Sequence, residues 1–158
     1  MTDLRKTVAI VGVDESDEIG KIPGKSNLQH HAEAAHNALA DAGMTMKDVN
    51  GLFTAGTSTL NLAEYLGIEP SFTDTTAVGG SSFVIHIAHA MAAINAGYCD
   101  VALVTHGEAG RSRRTRPGPD PADPMPWPTS YGVLCPKRCP RKTPIITPVF
   151  TSNLDLNL

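Results

Sequence analysis

The chain has 158 residues, of which 41% are hydrophobic and 18% are charged, so we predict a soluble globular protein with one sizeable core. Its net charge of −3 gives no case for binding nucleic acid or a membrane, and three cysteines are too few for a secreted disulfide framework. No signal-peptide hydrophobic region precedes the first strand pattern, and the longest apolar stretch is too short to span a bilayer. We therefore expect a cytoplasmic location.

Composition changes sharply near residue 110. Two of the twelve prolines lie before that point, and ten lie between Pro117 and Pro148. Residues 1–110 carry 5 basic and 13 acidic side chains, a net charge of −8, whereas residues 111–158 carry 8 and 3, a net charge of +5. Dense proline interrupts helices and central strands. The pattern predicts a folded domain over 1–110 and a basic, proline-rich, largely irregular tail over 111–158.

Strand and helix patterns alternate along residues 1–110. In chain order we predict a strand over 7–13, a polar loop over 14–25, a helix from the N-cap Ser26 to about Ala42, a strand over 49–55, a short helix over 60–66, a strand over 71–78, a long helix over 81–96 and a strand over 100–105. The glycines Gly43, Gly67 and Gly97 are expected to end the three helices. This alternation predicts an α/β fold with right-handed crossovers and a mainly parallel sheet.

The long helix has two unusual features. It is apolar almost all round, which predicts burial between layers. It also begins after Gly79, Gly80, Ser81 and Ser82, so its free backbone N–H groups face a position suited to a reactive group or an anion. The two serines could be nucleophiles or could cap the helix. Capping is favoured because no motif supplies the general base that a serine nucleophile needs.

The six histidines are candidate ligands or bases. His86 and His89 lie three residues apart on the long helix, but without a third ligand they are predicted to be core or interface residues and not a metal site. His106 closes the last predicted strand at the carboxyl edge of the sheet, where open α/β sheets bind ligands, and is the best histidine candidate for a site. The others are predicted to lie on the surface of the first helix: His30, His31 and His36.

A basic cluster and the cysteines complete the candidate residues. Arg111, Arg113 and Arg114 could bind phosphate through their guanidinium groups, or could form a solvated loop. Cys99 is expected to be a buried small hydrophobe. Cys135 and Cys139 lack the second ligand pair of a zinc site, and Gly12 stands alone without the spacing of a dinucleotide-binding motif. No metal site is predicted.

The order of these elements, the small-residue helix start and the helix-to-strand passage over 96–104 resemble the thiolase superfamily. Residues 11–14 with 20–24, 38–43 and 51–53 are similar to its sterol-carrier or nonspecific-lipid-transfer branch, and the resemblance covers about residues 6–115. In thiolases the helix start carries the nucleophilic cysteine. Here that position, twenty residues before Asp100, is Gly80, and Ala77 replaces the asparagine of the family motif.

The resemblance implies a parent enzyme that acts on acyl-CoA thioesters as a dimer. Without the cysteine, the chain itself is expected to be inactive as a thiolase, since glycine cannot carry an acyl group. Some thiolase-like proteins that lack this cysteine are similar to aldolases of steroid side-chain degradation, which cleave a β-hydroxyacyl-CoA. The resemblance places their tyrosine base in a C-terminal half that has no counterpart here. It also places the arginines at 111, 113 and 114 near the coenzyme A phosphates.

From Val133 onward the tail departs from the family pattern, so we expect a truncated or frame-shifted gene product. One face of the long helix should then be uncovered. The alternative is a non-catalytic binding or assembly module that pairs with another thiolase-like chain or with an OB-fold partner. We also expect the chain to bind acyl-CoA and to form a homodimer.

Overall fold

A computed structural model describes residues 7–113 and 147–151 of the chain. The elements, in chain order, are β1 (Ala9–Asp14), α1 (Asn27–Asp41), a short 3-10 helix (Met46–Asp48), β2 (Gly51–Thr54), α2 (Thr59–Leu66), β3 (Phe72–Asp74), α3 (Ser82–Asn95), β4 (Val101–Thr105), α4 (Gly110–Arg113) and β5 (Thr147–Thr151). Each predicted strand and helix of residues 7–105 is present, and the strands are shorter than predicted. Within the described ranges, no helix is long and apolar enough to cross a membrane.

The five strands form one sheet in the order β1-β5-β4-β2-β3. β2 pairs in parallel with both β3 and β4, while β5 pairs antiparallel with β4 and with β1. Strands β1 to β4 therefore all run in the same direction. The predicted α/β class and mainly parallel sheet are confirmed.

β5 is a finding that the composition did not predict, because residues 111–158 were expected to be largely irregular. Residues 147–151 lie between β1 and β4 and pair with both. Pro148, which has no N–H to donate, pairs with Val13 of β1, whereas the pairing with β4 begins only at Val149. A proline near the start of a strand is compatible with pairing on one side. The other tail residues, 114–146 and 152–158, lie outside the described residues.

Two apolar layers cover the two faces of the sheet. On one face, Leu52 and Leu103 pack against α1 and α2, together with Leu39 and Leu62 of those helices. On the other face, the alternate strand residues pack against α3 in a second cluster: Phe53, Ala102 and Val104, with Ala90, Ala93 and Ile94 of the helix. The sheet is thus covered on both sides, as continuous apolar strands require.

Local signals determine the ends of the helices. Ser26 caps α1 in a capping box with Gln29, which satisfies two backbone donors of the first turn. Gly43, Gly67 and Gly97 have φ values of 66°, 68° and 74° and follow or cap the ends of α1, α2 and α3. A left-handed residue at a helix end favours glycine because glycine has no Cβ to clash. The predicted helix stops are therefore confirmed.

Gly12 has a packing role and not a nucleotide-binding one. A Cβ added at this position would lie 2.2 Å from the Ala38 carbonyl oxygen, so the backbones of β1 and α1 approach more closely than any side chain allows. The N–H of Val13 donates to the Asp41 carboxylate at 3.0 Å, which ties the same strand to the end of α1.

α3 is covered on one face only within the described part of the chain, so it does not lie between two layers there, and the expectation that one of its faces is uncovered agrees with the structure. Its buried residues are Ser82, His86, Ala90, Ala93 and Ile94. On the opposite side Val84 is 70% exposed, while Ile87 packs partly on the core. The helix therefore presents an apolar outer face, as its composition requires.

Candidate functional site

The candidate site lies at the carboxyl edge of the parallel strands. β2 ends at Thr54 and β4 at Thr105, and these two residues are direct neighbours in the sheet. The connection from β3 to α3 carries Gly80, and His106 follows β4 directly. Parallel α/β sheets bind their ligands at this edge, because the loops that leave the strands diverge there.

The start of α3 is built around Ser82, which is fully buried. Its hydroxyl donates to the Gly79 carbonyl at 2.6 Å and accepts from the Val78 N–H at 2.9 Å. Gly79 takes a φ of 78°, so this turn needs a residue that tolerates the left-handed region. Ser82 therefore stabilises the turn, and its hydroxyl is already engaged as both donor and acceptor. Ser81 occupies the N-cap position, is exposed, and makes no side-chain capping bond.

Gly80 lies in open space just before the N-cap residue of α3. It is not among the glycines with positive φ, and a Cβ added there would meet no atom within 4 Å. Neither backbone conformation nor packing therefore demands glycine at this position. The chain has space here for a side chain that it does not carry.

His106 lies half-buried beside the first turn of α3. Its ring centroid is 4.4 Å from that of Phe83 and 6.3 Å from that of His31. The buried Nδ1 atom has no hydrogen-bond partner among the described residues. Burial lowers the pKa of His106 below its usual 6.5, although the nearby Glu108 carboxylate opposes this shift. The ring is therefore neutral at pH 7 and can donate through one nitrogen and accept through the other.

The prediction that His31 lies on the surface is wrong. His31 is completely buried, with Nδ1 3.2 Å from the Thr105 hydroxyl and Nε2 3.2 Å from the Thr57 hydroxyl. Burial, reinforced by the neighbouring His106 and His30, lowers its pKa to about 3. A sequence signal was available, since the buried positions of α1 are 31, 34, 35, 38 and 39, and His31 continues this helical stripe by one turn.

The other two histidines of α1 differ from each other. His36 is exposed, as predicted. His30 is half-buried, and burial together with the positive charge of Lys25 lowers its pKa. Lys25, which precedes α1, forms an ion pair with Glu33 of that helix at 2.6 Å.

His86 and His89 do not converge on a common ligand. His86 is fully buried between Phe53 and Phe83, with ring centroids 6.1 and 6.0 Å away, and burial lowers its pKa. His89 is partly exposed and forms a short ion pair with Asp74. Although burial alone would raise the pKa of Asp74, hydrogen bonds from His89 and Thr76 lower it. The described residues hold no group of three or more side chains suited to a metal ion.

The remaining candidates lie partly outside the described residues. Arg111 and Arg113 belong to the four-residue helix α4, and Arg114, Cys135, Cys139 and the segment from Val133 fall outside, apart from β5. Cys99 is 2% exposed, and burial raises the pKa of its thiol, in agreement with a structural role. The Ser112 hydroxyl accepts from the Ile22 N–H at 2.8 Å, which ties the start of α4 to the loop after β1.

No protein-family model matches the chain. Two curated proteins are similar in sequence. The 17-hydroxy-3-oxo-4-pregnene-20-carboxyl-CoA lyase of Mycobacterium tuberculosis is 39% identical over 99 residues, which are 60% of this chain and 25% of that protein. A steroid side-chain-cleaving aldolase of Thermomonospora curvata is 31% identical over 150 residues, 86% of this chain and 38% of that protein. The chain thus spans about a quarter to two fifths of the length of these relatives.

Solved structures show the same fold. An Ltp2-ChsH2(DUF35) aldolase superposes with a TM-score of 0.64 at 32% identity, covering 75% of this chain and 32% of that one. An OleA variant of Xanthomonas campestris superposes with a TM-score of 0.63 at 15% identity, covering 92% and 56%, and supports the fold alone. The fold and these similarities agree. The chain belongs to the thiolase superfamily, in the branch that contains the steroid side-chain aldolases.

Proposed function

We propose that this chain forms the N-terminal part of a lyase that cleaves a carbon–carbon bond in a β-hydroxyacyl-CoA thioester, with a steroid-type acyl group. The observation that carries the proposal is Gly80, where a nucleophile would stand in a thiolase and where open space replaces it. The two curated relatives, named as a lyase of a steroid carboxyl-CoA and as a steroid side-chain-cleaving aldolase, support the same reaction class.

A retro-aldol step needs no acyl-enzyme, so it agrees with the missing thiol. A base removes the proton of the β-hydroxyl group, the bond between the α and β carbons breaks, and the β carbon becomes a ketone. The bonding pair moves to the thioester as an enolate, which then takes a proton at the α carbon. The cleavage therefore needs neither an oxidant nor a reductant. The protein must supply a base and must stabilise the enolate oxygen.

Two features of the described chain suit the stabilising role. The N–H groups of the first turn of a helix lack partners within the helix, and although that of Ser82 donates to the Gly79 carbonyl at 3.0 Å, the absence of a side chain at Gly80 would leave the others accessible to a bulky thioester. His106 is neutral and lies beside the same turn through its contact with Phe83, so its ring can donate a hydrogen bond to a developing oxyanion. We assign the base to no residue of this chain.

Coenzyme A recognition is the third part of the proposal. Arg111, Arg113 and Arg114 follow β4 in the amino-acid sequence, and guanidinium groups are suited to pairing with the phosphates of coenzyme A. Ser81 is exposed at the helix start and is available for a polar contact with the thioester, whereas Ser82 is committed to the turn.

The test combines a covalent and a binding measurement. Incubation of the 158-residue chain with acetyl-CoA or acetoacetyl-CoA, followed by intact-protein mass spectrometry, should show no acyl adduct. Calorimetric titration with coenzyme A should show binding that weakens by about tenfold or more when Arg111, Arg113 and Arg114 are changed together to Gln. A stoichiometric acyl adduct on any residue would refute the lyase proposal.

A second candidate function is a non-catalytic module that pairs with another chain. The exposed apolar face of α3 around Val84 favours it, and the similar aldolase structure is named as a two-component protein. The partner would be a second copy, another thiolase-like chain or an OB-fold chain. Stable association without any coenzyme A binding in the titration above would favour this candidate over the lyase.

A further inference from the structure

We propose that His31 is a positioning residue that holds His106 in place at the carboxyl edge, acting through Thr105 and Gly107. The inference rests on the proposed function only in giving His106 a role at the site. The geometry of the three residues itself is independent of that role.

His31 connects three chain segments through its ring. It projects from α1, and its two ring nitrogens each lie 3.2 Å from a threonine hydroxyl, that of Thr105 at the end of β4 and that of Thr57 before α2. A neutral imidazole has one donor and one acceptor nitrogen. One hydroxyl therefore donates to the ring and the other accepts from it, so both side chains have a defined orientation.

The backbone of Gly107, the residue after His106, packs directly against the start of α1. A Cβ added to Gly107 would lie 2.8 Å from the Asn27 carbonyl oxygen, from the His31 backbone nitrogen and from the His31 ring. Asn27 also accepts, through its side-chain oxygen, a hydrogen bond from the Ala109 N–H at 2.8 Å. The segment 105–109 is thus fixed to α1 on both sides of His106.

The side chain of His106, in contrast to its backbone, makes few contacts that would fix its orientation. Its Nδ1 is buried without a partner among the described residues, and its recorded ring contacts are with Phe83 and His31. The direction of its ring is therefore determined by the backbone of residues 105–107 and by those two rings. Of the groups that determine this direction, His31 contacts Thr105, Gly107 and the His106 ring together.

Two substitutions separate positioning from general stability. In His31→Asn the amide lies near the place of Nδ1 and can keep the bond to Thr105, whereas in His31→Gln it reaches the place of Nε2 and can keep only the bond to Thr57. Each loses one buried hydrogen bond, so both should lower the melting temperature by similar amounts. Thr57→Val is the matched control, because it removes the bond on the side away from His106.

The measured quantity is the NMR signal of the His106 ring in the full chain. Histidine-selective NMR records this signal, and its absence in His106→Gln assigns it. We expect His31→Gln to shift its resonance and to raise its pKa by about half a unit or more, because a looser segment exposes the ring to water. Thr57→Val should leave both values close to those of the wild type, whereas His31→Asn keeps the bond to Thr105 but removes the ring beside His106, and should shift both values less than His31→Gln does. If His31→Gln does not fold, Thr105→Ala should move the His106 signals and Thr105→Ser should not.

Equal His106 spectra in His31→Gln and the wild type would overturn the proposal, as would a shift of the same size in Thr57→Val. These measurements need no substrate. Failure of coenzyme A binding would therefore remove the proposed function and leave the positioning role of His31 standing, while an unmoved His106 would remove only the positioning role.

Discussion

At the scale of single residues, the proposal that Gly80 occupies the position of an absent nucleophile can be tested by introducing a thiol. Because Gly80 has no positive φ and open space around it, Gly80→Cys should fold with unchanged stability. A thiol at a helix N-terminus has a lowered pKa, so residue 80 should react with iodoacetamide at least about tenfold faster than the buried Cys99. Peptide mapping by mass spectrometry measures both rates. Equal rates would show that the start of α3 does not activate a thiol.

The burial of His31 also leads us to expect that stability depends on pH. Its pKa is about 3 in the folded chain against 6.5 when exposed, so between these values the unfolded state binds more protons and acid favours unfolding. Between pH 6 and 4.5 the free energy of unfolding should fall by about 2 kcal/mol more in the wild type than in His31→Asn, which cannot titrate. Urea titrations at both pH values measure the difference. Parallel losses in the two proteins would contradict the burial of His31.

At the scale of elements, the contact between β2 and the turn before β4 depends on a missing side chain. A Cβ at Gly51 would lie 2.7 Å from the Cys99 sulfur, so Gly51→Ala should lower the free energy of unfolding by about 1–3 kcal/mol. In a Cys99→Ala background the loss should be smaller, because the sulfur is gone. Gly24→Ala is the control, since nothing lies within 4 Å of its added Cβ. Equal losses in both backgrounds would exclude this contact as the cause.

The helices and strands of residues 7–105 were predictable because their signals are local. Ser26, Gly43 and Gly67 act on the turn in which they stand, and the apolar periods of the segments between them are visible without any partner. β5 was not predictable, because its pairing joins residues 147–151 to strands that lie far away in the chain. The proline-rich composition around it indicated the opposite.

At the scale of the whole molecule, the outer face of α3 should drive association. Val84 is 70% exposed on a helix that is otherwise almost entirely apolar, and exposed apolar patches generally bind partners. Val84→Glu should weaken self-association, measured by sedimentation at several concentrations, and should change the free energy of unfolding by no more than about 0.5 kcal/mol.

Val84 is preferred to Ile87 for this test, because Ile87 packs partly on the core and a charge there would also disturb folding. Leu60→Glu is the matched control, because Leu60 is 76% exposed on α2, which packs on the other face of the sheet. A monomer at tens of micromolar in the wild type would contradict the prediction, as would equal weakening by both variants.

The amino-acid sequence alone was enough for the fold class and the helix ends, since periodicity and caps are properties of neighbouring residues. Only the tertiary structure brought His31, Thr57, Thr105 and His106 together at one edge. The physical reason is that burial and hydrogen bonding depend on which elements pack, and a histidine on a helix has the same local pattern whether it faces water or the sheet. The same reason explains why β5 appears in the sheet.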